Sequence, residues 1–223
     1  MILAIDSSTQ WMGIALYDDA QILYEKVWRT NRRHTVELAP AIQSAIGDCG
    51  LQISDVKAIA VATGPGSFTS LRIGLAIAKG LALSLRIPVA GIPTLDIIAA
   101  CQPVGEQPLI ALLKAGRDRL AGCEYRAVEG MWQAQGEIFM TSARELESRI
   151  ERPTIICGEI DAEDRRTLER RWRNAILASP AQNVRRPAIL AQLAEKRLET
   201  GRADDVVSLA PIYLRTLNTP AES

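Results

Sequence analysis

Histidine is nearly absent from this sequence: its 223 residues hold one, His34. Any mechanism or metal cage that needs two imidazoles is thereby excluded. Cysteine is sparse and scattered. Cys49, Cys101, Cys123 and Cys157 never come within a C-x-x-C spacing, so neither a zinc site nor a redox pair is implied, and a reducing compartment suits them. Charge of one sign is not in excess either. Lys+Arg and Asp+Glu are 26 each, which argues against a broad basic surface that grips nucleic acid by charge alone and leaves only local patches. The longest apolar run, Ile73 to Ile87, contains Lys79 and Arg86 and falls short of a membrane span. The N-terminus has no basic stretch and Asp6 interrupts its apolar run, so no signal peptide is expected and the chain is expected to be cytoplasmic.

With 48% hydrophobic and 23% charged residues, the composition is that of a globular chain, either one large domain or two small halves. Residues 2–6, 11–17 and 21–29 read as three strands joined by tight turns, an antiparallel meander. From His34 to Cys49 the apolar positions follow helical spacing, with Pro40 either in the first turn or at a kink. Val56–Thr63 is a near-continuous β-type run, hence a strand covered on both faces. The loop Gly64-Pro65-Gly66-Ser67-Phe68-Thr69 follows, then a helix from about 70 to 85, a short strand at 88–92, and a helix from 94 to 100 capped by Thr94. Around 102–108 the composition turns to proline, glycine and polar residues. The boundary is placed there, giving lobes 1–102 and 103–208 and a terminal segment 209–223 that packs back on the first lobe. Leu109–Lys114 restarts the opening pattern: Asp6 to Tyr17 and Lys114 to Tyr125 span the same number of positions, a hint of two related halves. Residues 154–158 read as a strand, 161–178 and 187–200 as helices, and Pro211–Arg215 as an extended end. The scheme is α/β, each half a mixed sheet flanked by helices, and it suits the actin/sugar-kinase/Hsp70 (ASKHA) architecture.

Asp6-Ser7-Ser8-Thr9 at a strand end is compatible with a phosphate-binding hairpin, in which an acid holds a metal-bound water and Ser8 and Thr9 face phosphate oxygens. A polar β-turn uses the same residues and is the more economical reading. The loop at 64–69 lacks the second glycine, the lysine and the hydroxyl of a P-loop. What remains is a turn whose helix is capped by Ser67 or Thr69, with anion binding as the rarer alternative. In the helix at 70–86, Arg72, Lys79 and Arg86 form one stripe and nearly everything else is apolar or small. That is about twice the apolar face of a surface helix. Gly74, Ala76, Ala78 and Gly80 permit close approach of another helix. Such a helix is either buried in its own lobe or shared with a partner chain, and the helix at 34–48 can extend the patch through Leu38, Ile42 and Ala45. His34 has Leu38 four residues on, so no metal pair forms, and it reads as a capping, surface or interface residue. Asp161–Arg173 mixes four acids with five arginines and reads as a solvated helix. Arg29, Arg32 and Arg33 beside Trp28 are more one-sided and read equally well as a flexible basic loop or as a contact for a partner or polyanion.

Taken together, Ile2-Leu-Ala-Ile-Asp-Ser-Ser-Thr9, His34-Thr35 opening a helix with Pro40, Gly64-Pro-Gly-Ser-Phe-Thr-Ser-Leu-Arg-Ile-Gly74, Gly91-Ile-Pro-Thr-Leu95 and Pro211-Ile-Tyr-Leu-Arg215 resemble the TsaB (YeaZ) family across nearly the whole chain. Ser70 departs from it, glycine being more usual there, and no signature falls between about 126 and 205. The resemblance implies a two-lobed ASKHA fold and a non-catalytic subunit of threonylcarbamoyladenosine formation on ANN-decoding tRNA. It implies pairing with the paralogue TsaD, which transfers the group, through the first two helices of each N-terminal lobe. On this chain that face would carry His34, Leu38, Ile42 and Ala45 from one helix and Arg72, Ala76, Ala78, Lys79 and Leu83 from the other. An ATPase subunit, TsaE, would join at the seam. ATP and metal would sit on the partners, none on this chain, tRNA would be met indirectly, and a lone chain would form a homodimer. The residues agree on the missing catalysis: one histidine, and Lys114 where a second phosphate loop would present an acid. The rival readings are a stand-alone ATP-binding enzyme using Asp6 and a metal-dependent peptidase-like protein.

Overall fold

The computed structural model describes residues 1–31 and 33–214. Arg32, Arg215 and the end of the expected terminal segment lie outside the described residues. The meander forms as the alternation predicts: β1 (Ile2–Asp6), β2 (Trp11–Asp18) and β3 (Gln21–Arg29) pair antiparallel in sequence order. Helix α1 (His34–Asp48) runs through Pro40, whose ring is exposed, and delivers the chain to β4 (Ala58–Gly64), parallel to β1. Helix α2 (Phe68–Leu85) crosses to β5 (Val89–Pro93), parallel to β4, and α3 (Thr94–Ala100) follows. The first sheet therefore has the order β3-β2-β1-β4-β5.

The second half repeats the scheme. β6 (Leu109–Lys114) and β7 (Leu120–Val128) form the hairpin and β8 (Met131–Ala134) extends it. β9 (Phe139–Thr141) pairs with β7, and α4 (Ala143–Arg149) leads to β10 (Thr154–Gly158), parallel to β6. Helix α5 (Ala162–Glu169) leads to β11 (Ala175–Leu177), parallel to β10. The order β8-β7-β6-β10-β11 is that of the first sheet. Tyr17 pairs with Ile2, four positions before Asp6, and Tyr125 with Leu109, five positions before Lys114, so the two hairpins match to within one residue of register. The expected helix over 161–178 is corrected: it stops at Glu169. Only Leu168 and Asp164 of α5 are buried, too little to anchor about two and a half more turns, and Ala175–Leu177 finds hydrogen bonds on the edge of β10 instead.

The two halves exchange helices. α3, from the first half, buries Leu95, Ile98 and Ala99 against Leu109, Ala111, Leu113 and Tyr125 of the second sheet. α6 (Pro187–Glu199) lays Ala188, Leu190, Ala191 and Ala194 on Ala4, Ala15, Ala58 and Ala60 of the first sheet. Alanine on both surfaces lets helix and sheet approach closely. Residues 187–199, expected in the second lobe, thus belong by packing to the first. Beyond α6, Asp204 bridges to Val89, and the Ile212 N–H donates to the Thr63 carbonyl at 2.7 Å, so the described part of the end does fold back on the first sheet. The opposite face of that sheet is covered by α1 and α2, where Leu38, Ile42, Leu75, Ala78 and Ala82 meet Leu3, Ile5, Ile14 and Ile59. α2 is long and apolar enough to cross a membrane, but this side of it is spent on the sheet.

Candidate functional site

The β1–β2 turn is held from all sides. Asp6 ends β1 with its side chain buried, and its Oδ1 accepts the Ser8 N–H at 2.9 Å and the Ser8 hydroxyl. The Ser7 hydroxyl donates to the Ser70 carbonyl at 2.8 Å, and the Thr94 hydroxyl donates to Ser8 Oγ at 3.0 Å. Thr94 is therefore the first residue of α3 and a tie to the turn, not the expected cap. Ser67 does stand at the start of α2, but its side chain caps no amide. Its own N–H donates to the Ser8 carbonyl at 2.7 Å, and a side chain at Gly66 would strike that same carbonyl. The glycine loop is thus packed on the turn. His34 Nε2 lies 2.9 Å from the Thr9 carbonyl, which places the histidine under the same turn.

The decisive side chain comes from far along the chain. Arg185, in the loop before α6, donates from Nε to Asp6 Oδ2 at 2.6 Å and pairs through Nη1 with Glu159. Its Nη2 donates to Thr9 Oγ1 at 3.0 Å and to the Trp11 carbonyl at 3.1 Å. Thr9 completes the ring by donating to Glu159 Oε1 at 2.8 Å. Burial disfavours the charge of such a guanidinium, yet the charges of Asp6 and Glu159 outweigh it and raise its pKa. Asp6, Ser8 and Thr9, the candidate cofactor residues, are thus brought together: Asp6 and Thr9 hold a protein cation, and Ser8 bonds to Asp6. A guanidinium sits where a hydrated metal ion would have to approach Asp6.

Glu159 reaches this ring because Gly158 ends β10 at φ +119°, a conformation that suits glycine, and packs against the Leu112 carbonyl. On the matching hairpin, Lys114 ends β6. Its Nζ lies 2.7 Å from Asp161 and 2.6 Å from Asp164, at the start of α5. Burial opposes its charge, but the two carboxylates prevail and push its pKa up. Asp161 is held below the ordinary carboxylate range by the amide of Asp164 and by Lys114. Thr9, Lys114, Gly158, Asp161 and Arg185 all line a cleft of about 1010 Å³ between the two sheets. Both hairpin ends facing the cleft are occupied by lysine or arginine paired with acids of the same chain. Among the described residues no group of three or more His, Cys, Asp or Glu is placed to hold a metal ion. Lys114 was visible in the sequence. Arg185 was not, since 179 positions separate it from Asp6 and no motif marks it.

The helical face divides differently from the expected one. Leu38, Ile42, Ala45 and Ala78 are buried in the core, and His34 is buried under the turn, so these five are corrected from interface to interior. The reason is helical phase: the residues with the strongest apolar spacing are those that meet the sheet. Gly74 likewise serves the β1–β2 turn, because a side chain there would strike Ser7 Oγ. The outward row of α2 is Arg72, Ala76, Gly80 and Leu83, the last 61% exposed. Lys79 is half-buried and donates to the carbonyls of Val207 and Leu209 at 2.9 and 3.0 Å. Arg72 stacks 3.6 Å from the Phe68 ring centre and donates to the Tyr213 hydroxyl at 2.8 Å. Between the helices runs an apolar groove of about 430 Å³, lined by Ala39, Ile46, Leu51, Ile53, Ile77 and Leu81 among others. Val36 on α1, 57% exposed, lies on the outer side of its helix.

The family model "TsaD: tRNA N6-adenosine threonylcarbamoyltransferase" matches residues 28–171. The Bacillus subtilis tRNA threonylcarbamoyladenosine biosynthesis protein TsaB is 29% identical over 99% of this chain and 96% of its own length. Among solved structures, YeaZ from Pseudomonas aeruginosa superposes with a TM-score of 0.78 at 24% identity, over 96% of this chain and 99% of that one. Component A of (R)-2-hydroxyglutaryl-CoA dehydratase from Acidaminococcus fermentans shares the fold with a TM-score of 0.52, over 89% of this chain and 98% of that one, at 12% identity. Two mixed sheets in matching strand order, flanked by helices, are the ASKHA architecture. The chain belongs to the family described by the TsaD model and, within it, to its TsaB (YeaZ) branch.

Proposed function

We propose that this chain is a non-catalytic subunit in the formation of threonylcarbamoyladenosine on tRNA, and that it binds and activates a TsaD-type paralogue. The observation that carries the reading is the outer face of α1 and α2. An apolar groove of about 430 Å³ lies between the helices, and Val36 on α1 and Ala76 and Leu83 on α2 are exposed as well. A folded monomer gains nothing from leaving such a surface in water. The occupant is argued from kinship. The model that matches this chain is that of the transferase itself, so the transferase offers a homologous helix pair, and two related helix pairs can meet in a near-twofold arrangement. Without the paralogue, the same surface joins two copies of this chain.

The cleft supports the division of labour. Asp6 and Glu159 are committed to Arg185, and Lys114 is committed to Asp161 and Asp164. A nucleotide's metal and phosphates would have to displace these pairs. ATP and metal chemistry is accordingly assigned to the partners, TsaD and an ATPase subunit of TsaE type, in the cytoplasm.

The test is co-expression with the paralogue followed by size-exclusion chromatography and a transfer assay on unmodified tRNA. Co-elution and a strong gain in transfer over either chain alone are expected. Modification of tRNA, or turnover of Mg-ATP, by this chain alone would overturn the reading.

A further inference from the structure

The early end of α5 leaves the turn Arg170–Asn174 standing out from the second sheet, with Trp172 72% exposed. The indole is flanked by Arg170, Arg171 and Arg173, and the Arg173 guanidinium lies 4.9 Å from its ring centre. Two arginines of this region are spent internally: Arg165 on Glu169 and Arg171 on Glu147. Among the described residues, Arg166, Arg170 and Arg173 form no ion pair, and all three are exposed. Asn174 donates to the Ile150 carbonyl at 3.2 Å, which brings the end of α4 alongside and adds the exposed Arg149 and Arg152. The acids here are Glu147 and Glu169, both paired, and the exposed Glu151 and Glu163. Arginine is therefore in excess on this face, although the whole chain is neutral.

Nothing in the fold requires this arrangement. Trp172 fills no cavity, and the three unpaired guanidiniums hold no element in place. An exposed aromatic ring among guanidiniums is, however, the chemistry that receives an unstacked base on its face and phosphates around it. A protein partner would need a concentrated acidic patch to match it, whereas a polyanion supplies the charge by its nature.

We propose that the Arg170–Arg173 turn is an RNA-contacting patch, in which Trp172 stacks on an unpaired base and Arg166, Arg170 and Arg173 hold neighbouring phosphates of the tRNA. The proposal rests on the tRNA-modification reading and extends it: this chain touches the substrate directly as well as through its partner.

The test is fluorescence anisotropy of a labelled unmodified tRNA transcript, titrated with the lone chain and with the pair it forms with the paralogue, at several salt concentrations. Trp172→Ala is expected to weaken binding roughly fivefold or more, the loss of one stacked base. Arg170→Ala with Arg173→Ala is expected to flatten the salt dependence by about 0.7–0.9 in log–log slope for each arginine removed. Thermal midpoints and co-elution with the paralogue should not change, since these side chains lie away from the α1–α2 face. Unchanged affinity and slope in both variants would overturn the proposal. So would a loss of subunit assembly in Trp172→Ala with RNA binding intact, which would make the turn a protein contact. Failure of the pair to form would count against the partner reading alone, because the lone-chain titration still tests the turn.

Discussion

Arg185 Nε lies 2.6 Å from Asp6 Oδ2, and both side chains are 3% exposed. The acid that ends β1 carries a built-in counterion, delivered by the loop that leads into α6. Removing one partner of such a pair leaves a buried charge uncompensated. Arg185→Met is expected to cost about 3–5 kcal/mol of unfolding free energy. Asp6→Asn combined with Arg185→Met should regain a substantial part, because no lone carboxylate remains at that position. Urea denaturation of the single and double variants measures both. Equal losses in the two would show that the pair contributes packing and not charge compensation.

Much of this fold was legible in the sequence, and the site far less so. The meander, α1, β4 and the repeat from Lys114 announced themselves through local periodicity, which depends only on neighbours along the chain. The Arg185 ring depends on residues from both halves and on a loop without a motif. No local pattern encodes it. α2 illustrates the intermediate case. Its apolar excess is visible, but with glycine and alanine on every side the contrast between its faces is weak, and Ala78 of the inward row reads like the outward Arg72, Ala76 and Leu83. At α5 the charge pattern extended a helix that the core could not anchor beyond Leu168.

The assignment of faces on α2 separates two neighbouring alanines. Ala76 is exposed, whereas Ala78 is completely buried against the sheet. Ala76→Arg is expected to leave the unfolding free energy within about 0.5 kcal/mol of the parent while abolishing co-elution with the paralogue. Ala78→Glu, by contrast, should fail to give a folded chain, since a carboxylate there has neither water nor a partner. Circular dichroism and gel filtration distinguish the two. Intact pairing in Ala76→Arg would move the interface elsewhere.

The two glycines of α2 should respond with opposite signs. Nothing lies within 4 Å of a side chain built at Gly80, whereas one at Gly74 strikes Ser7 Oγ. Gly80→Ala is expected to stabilise the lone chain by about 0.5–1 kcal/mol through helix propensity and reduced unfolded-state freedom. Gly74→Ala should destabilise it by more than that gain, because α2 must lift off the β1–β2 turn. Thermal melts of the two variants compare them directly.

Each hairpin ends in a tyrosine that reaches the helix exchanged onto its sheet. Tyr17 donates to Glu195 of α6 at 2.9 Å, and Tyr125 donates to Asp96 of α3 at 2.7 Å. The second pair is the more deeply buried. Burial raises the Asp96 carboxyl above its ordinary 3.8, with the Tyr125 hydroxyl drawing it part of the way back. Burial also pushes the Tyr125 phenol far above its usual range, and the Asp96 charge adds to this. Tyr125→Phe removes the donor to a carboxylate with little water around it and should cost about 1–3 kcal/mol. Tyr17→Phe should cost less. The pH dependence follows from the raised carboxyl. The folded chain keeps this proton to a higher pH than the unfolded chain does, so ionising Asp96 works against folding. Its contribution to stability declines as pH rises from about 3.8 through the folded value, and is constant above it. Asp96→Asn can still accept from Tyr125 but cannot ionise. Its stability relative to the parent should therefore increase as pH is raised from 4 toward neutrality. Urea midpoints at a series of pH values give that difference, and a difference independent of pH would show that the folded chain leaves this carboxyl at its unfolded value.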